Sequence, residues 1–201
     1  MTVPHAFTRL AQYCIVLAAL LAGCGESAES GPSLELRLAS GWTYVGAAEA
    51  ERDGDTLRFD DDALDAALAP RGAAALFAAL KHAPPHAGHN PTFGVSVERR
   101  ATAGSASAIA LLEAQVEAAR RDAGFTVVRG PQAVRVADHD AASATLRAPG
   151  PDGIATRIQL TLLPLADLLV QVTATDAASG AERADAEIDA MLASLVVHGT
   201  P

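Results

Sequence analysis

The stretch Ile154-Ala155-Thr156-Arg157-Ile158-Gln159-Leu160-Thr161-Leu162 decides the fold. Ile154, Ile158, Leu160 and Leu162 fall on one side of an extended chain, and Arg157, Gln159 and Thr161 on the other. That period of two is the pattern of an antiparallel strand with one buried face. Residues 167–175 repeat it, with Leu168, Val170, Val172 and Ala174 as the inward row. Together, residues 154–175 predict a central hairpin whose buried face is covered by helices. Shorter alternations at Phe93-Gly94-Val95-Ser96-Val97, at Val134-Arg135-Val136 and around Leu146 add further strands. Asp53-Gly54 and Asp152-Gly153 are hairpin dipeptides, suited to turns whose central residues take positive φ.

Helical spacing appears in two places. Ile109, Leu112, Val116, Ala119 and Ala123 form one stripe, closed by Gly124 as a C-cap. Ala184, Ile188, Met191, Leu192 and Leu195 form another. Ser179 and Glu182 stand before that second stripe with the spacing of a capping box. A short helix is expected over 61–69, cut off by Pro70-Arg71-Gly72. Residues 73–81 are rich in alanine and leucine, and propensity alone makes them helical.

The first residues read as an export signal. Arg9 supplies a positive start, residues 10–22 are apolar apart from Gln12, and no acidic residue precedes Glu26. The apolar run is shorter than the ~20 residues a spanning helix needs. It ends in Leu21-Ala22-Gly23-Cys24, a large aliphatic and two small residues before a cysteine. This resembles the lipobox of bacterial lipoproteins, and implies cleavage before Cys24 and a lipid on its thiol. Residues 1–23 are then the signal peptide, 24–33 the lipidated cysteine with a flexible tether, and 34–198 a single globular domain. One acyl chain gives marginal membrane binding and two or more give stable anchoring. Gly25, rather than aspartate, follows the cysteine, which points to the outer membrane facing the periplasm in a Gram-negative host.

The 201 residues carry 24 acidic and 15 basic side chains, a net charge of −9. Loss of Arg9 with the signal makes the mature chain more negative still. Nucleic acid is not an expected partner, because its binding rests on clustered basic residues. Arg99-Arg100 and Arg120-Arg121 are isolated pairs. Cys14 leaves with the signal and Cys24 is the lipid site, so no cysteine remains to pair. The domain is large enough to fold without disulfides.

The order of these elements resembles the Mog1/PsbP-like superfamily. Gly41-Trp42 matches a Gly-Trp pair that follows the first strand there, and Asn90-Pro91-Thr92-Phe93 matches an Asn-Pro-x-hydrophobic step into a strand. A helix, meandering strands and a closing helix with a hydrophobic tail, here Leu195-Val196-Val197, complete the pattern. The resemblance implies an α+β fold (mixed α/β), an antiparallel β-sheet flanked by helices in a sandwich. It also implies a strand at 74–81, against propensity. It carries no shared catalytic motif, and fold does not imply function.

His82-Ala83-Pro84-Pro85-His86-Ala87-Gly88-His89 is the sharpest local feature. Neutral imidazole is a good ligand for Zn²⁺ or Cu²⁺, so His82, His86 and His89 are the candidate metal ligands, with His139, Asp138 or Asp140 to complete the set. Two prolines favour an extended path that separates the rings, and the competing reading is a solvated loop. The cluster Asp53, Asp55, Asp60, Asp61 and Asp62 fails as an EF-hand, because Leu64 occupies the twelfth position. A turn at Asp53-Gly54 and a helix start at Asp61-Asp62 account for it. Trp42 is expected as a packing residue.

No Gly-x-Ser-x-Gly elbow, His-Glu-x-x-His pair or glycine-rich phosphate loop is present. The expected function is therefore a non-catalytic binding or accessory module, without a cofactor. It would be held to the membrane through Cys24, with an envelope protein as a possible partner. A periplasmic metal-binding protein using the histidine loop is the second reading. An enzyme whose site is assembled from distant residues is the third.

Overall fold

A computed structural model describes residues 33–46, 50–68, 74–100, 106–149, 155–165, 168–178 and 184–198. The signal and tether residues 1–32, Asp152-Gly153, Ile154 and the Ser179/Glu182 pair lie outside them. The strands are β1 (Ser33–Arg37), β2 (Thr43–Gly46), β3 (Glu51–Asp53), β4 (Thr56–Phe59), β5 (Ala74–Leu80) and β6 (Thr92–Arg99). After them come β7 (Thr126–Val136), β8 (His139–Ala148), β9 (Thr156–Pro164), β10 (Leu168–Ala177) and β11 (Val196–His198). The helices are α1 (Asp61–Leu68), α2 (Ala108–Ala123) and α3 (Asp185–Ala193).

All strand pairing is antiparallel. A small sheet runs β11-β1-β4-β3 and a large one β2-β5-β6-β10-β9-β8-β7. Residues 74–80 are a strand as the family pattern implies, because pairing with both β2 and β6 and burial of Leu76, Phe77 and Ala79 override helix propensity. Gly54 turns the β3–β4 hairpin at φ 59°. Asp60 caps α1, its Oδ1 accepting from the Ala63 N–H at 2.9 Å. Ser107 caps α2 in the same way, and Gly124 closes that helix at φ 66°. Among the described residues no helix is long and apolar enough to cross a membrane.

The central hairpin β9–β10 is present, but its two apolar rows face opposite ways. Antiparallel partners share a face, and Val170 pairs with Leu163, Val172 with Thr161 and Ala174 with Gln159. The β10 row therefore lies on the face covered by the small sheet, α1 and α3. Ile158 and Leu162 of β9 lie on the other, under α2, with Ala142, Ala144 and Leu146 of β8. The sheet has two covered faces, where alternation in each strand taken alone predicts one. Phe59 of β4 stacks on Phe77 of β5 at 5.4 Å, and Phe77 on Phe93 of β6 at 6.2 Å, so a column of rings ties the two sheets together.

Candidate functional site

The histidine loop joins β5 to β6 and is clipped at its base. The His82 N–H donates to Asn90 Oδ1 at 3.0 Å, Asn90 Nδ2 donates to the His82 carbonyl at 2.7 Å, and the Lys81 N–H reaches the Pro91 carbonyl at 3.0 Å. The chain between folds back instead of extending, and the Pro84-Pro85 peptide is cis. The rings of His82 and His86 stack with centroids 4.2 Å apart, which corrects the separation expected from a polyproline path. His86 buries Nε2 without a hydrogen-bond partner among the described residues. Even so, His82, His86 and His89 do not converge as a ligand set. Among the described residues no group of three or more His, Cys, Asp or Glu side chains is placed to hold a metal ion. At the β7–β8 turn, the Asp138 carbonyl and the Asp140 carboxylate are engaged by Arg135 at 2.6 and 3.3 Å.

Beside this loop, α3 presents Glu187. Its Oε2 accepts from Lys81 Nζ at 2.9 Å and from the Trp42 indole N–H at 3.2 Å. The Lys81 hydrogen bond holds the carboxyl below its ordinary value, aided by Trp42 and the charge at His82, while burial opposes. Trp42 is buried in the core, and its one polar atom finds this partner.

A second feature lies at the far end of the large sheet. The small sheet and α1 cover the half of the face that carries β5, β6 and β10. Among the described residues, the part of this face that carries Arg129, Ser143, Thr145, Arg147, Arg157 and Gln159 is left open beside α3, and forms a groove of about 640 Å³. Arg157 and Gln159 of β9, Ser143, Thr145 and Arg147 of β8, and Arg129 of β7 line it. Asp185, Asp189 and Leu192 of α3 form the wall. Arg157 and Gln159, expected on an outward polar face, form the floor of this groove. Thr161, from the same row, is 1% exposed and donates to Ser143 Oγ at 3.1 Å.

The groove is held in shape by a buried carboxylate. Asp176, 1% exposed at the end of β10, accepts from the Ala177 and Ala184 N–H groups, both at 2.8 Å. The second bond satisfies a free donor at the start of α3, where no side chain of the helix's own cap does so. α3 starts at Asp185, so its cap comes from a neighbouring strand; the capping-box residues Ser179 and Glu182 are outside the described residues. Asp176 also stands 3.8 Å from Arg157 Nη2, and Arg157 forms a close ion pair with Asp185. Sequence reading missed the groove because its residues come from four elements. The available signal was the polar row Arg157, Gln159, Thr161, repeated on β8 as Ser143, Thr145, Arg147.

No family model matches the chain, and no curated protein matches it in sequence. Solved structures do match its fold. LpqN of Mycobacterium tuberculosis, a protein involved in cell envelope biogenesis, aligns with a TM-score of 0.55 at 10% identity, over 86% of this chain and 86% of that one. The cyanobacterial PsbP of Synechocystis aligns with a TM-score of 0.46 at 11% identity, over 89% of this chain and 99% of that one. At such identity the likeness to LpqN is one of fold alone. The described residues form an α+β sandwich of two antiparallel sheets and three helices, the fold class that the order of elements in the sequence implied.

Proposed function

We propose that this chain is a lipid-anchored protein of the cell envelope, held through Cys24, and that it works as a non-catalytic binding or accessory module with the groove over β7–β9 as its ligand site. The groove carries the reading. Over β5, β6 and β10 this face of the large sheet is covered, whereas here guanidinium, amide and hydroxyl groups line a concavity. Such groups hold and orient a ligand through charge and hydrogen bonds. An envelope role is supported by the fold shared with LpqN, itself a protein of cell envelope biogenesis. Lipid anchoring is supported by Leu21-Ala22-Gly23-Cys24 at the end of an apolar run, and an outer-membrane destination by Gly25.

Two measurements test the parts separately. Cys24→Ser is expected to leave the membrane fraction or accumulate as precursor, and a variant that is processed and membrane-bound as before would remove the anchor. A photoreactive residue at Val128, on the groove, is expected to give a discrete adduct in intact cells, while one at Glu117, on the exposed side of α2, gives none. Equal labelling from both positions, or none from Val128, would remove the groove as the ligand site.

A further inference from the structure

On β8 and β9, Arg147 and Arg157 are register partners on one face of the sheet, and both line the groove. Like charges directly opposite in a sheet are unfavourable. For Arg157 the protein supplies the compensation, through Asp176 and Asp185. For Arg147 the described residues supply none. Among the described residues the Arg147 side chain has no hydrogen bond or ion pair, and neither has that of Arg129, the residue of β7 across from Thr145. The opposite wall shows the complementary condition. Asp185 is committed to Arg157, while Asp189, one turn along α3 on the same side, has no such bond among the described residues. Among the described residues the groove thus separates positive charge without a partner on its floor from negative charge without a partner on its wall.

We propose that the groove binds a small zwitterion, with its oxyanion on Arg147 and Arg129 and its ammonium group at Asp189. The inference rests on reading the groove as the ligand site, and adds the class of ligand. Guanidinium groups suit a phosphate or carboxylate because their N–H donors match two oxygens at once. An exposed carboxylate suits an ammonium group, which offers three donors. Thr145 and Gln159 add hydroxyl and amide groups to the same lining. Val128, Val134, Val136, Ala178 and Leu192 complete a mixed lining, in which the charged and hydrogen-bonding groups fix which end of the ligand lies where.

The test is calorimetry at low salt on the purified protein, with O-phosphoethanolamine as the zwitterion and inorganic phosphate and ethanolamine as its separate charges. The wild type is expected to bind phosphoethanolamine more tightly than either fragment. Arg147→Gln should weaken phosphoethanolamine and phosphate alike by about tenfold. Asp189→Asn should weaken phosphoethanolamine about fivefold and leave phosphate unchanged or tighter. Both side chains are exposed, so the variants are expected to melt with the parent, and Arg147→Lys should retain part of the affinity. Phosphoethanolamine bound no better than phosphate, indifference to Arg147→Gln, or equal loss of both ligands in Asp189→Asn would each overturn the proposal. If none of the probes binds while Val128 still labels, the ligand class is wrong and the groove reading stands. If labelling at Val128 is absent as well, the groove reading falls with it.

Discussion

Glu187 accepts two donors on one oxygen, the Lys81 ammonium and the Trp42 indole N–H, and so links α3 to the chain after β1 and to the end of β5. Its carboxyl is held low by folding. A depressed carboxylate contributes stability above its unfolded value and loses it as pH falls through the folded one. Glu187→Gln is therefore expected to lower stability at pH 7, with a deficit that fades as the pH drops below the ordinary value of 4.5. The side chain is 38% exposed, so screening limits the effect to roughly 0.5–1 kcal/mol. Denaturant melts of both proteins at pH 7 and pH 3 check this, and an equal deficit at both would show that shape, not charge, matters there. Trp42 as a packing residue was legible from composition alone. Its pairing with Glu187 was not, because 145 residues separate the two and no local pattern joins them.

Among the elements, β9 and β10 show what alternation can and cannot reveal. Each strand was legible, since a period of two survives in both. Which way each apolar row points was not, because facing is set by register across the hairpin and not by pattern within a strand. Ile158 and Val172, each 3% exposed, lie on opposite faces of the same hairpin. Ile158→Asp and Val172→Asp are each expected to cost several kcal/mol, of order 3–5, by burying a charge without a partner. If either variant melts like the parent, the face assigned to that strand is wrong. The start of α3 escaped sequence reading for a related reason. Its cap is supplied by Asp176, whose role depends on where β10 ends beside the helix.

For the molecule as a whole, the order of elements was readable, and with it the class of fold. The second sheet was not. Its strands are short: β3 and β11 have three residues each, below the length at which alternation is distinct from chance. The groove goes with the difference in width, since among the described residues a sheet of four strands faces one of seven. Amide exchange should report the same division. β6 and β10, paired on both sides and covered, are expected to exchange slowest. β7, an edge strand with register shifts between Val127 and Gln132, should exchange fastest among the long strands. Equal protection of β7 and β10 would place a cover over the groove that the two-sheet arrangement lacks.

The pairing of β1 with β11 has a topographic consequence. Ser33, the first residue of β1, is the register partner of His198. Antiparallel partners sit about 5 Å apart, so chain entering the fold and chain leaving it pass through one doorway. Under the proposed anchoring, the nine residue steps from Cys24 to Ser33 reach at most about 30 Å. Anything attached after residue 198 would then emerge within that distance of the bilayer, in the crowded layer where antibodies and proteases gain poor access. A reporter meant to be seen from the aqueous side belongs in an exposed turn remote from that doorway, and the Asp138 turn between β7 and β8, in the other sheet, is one to try.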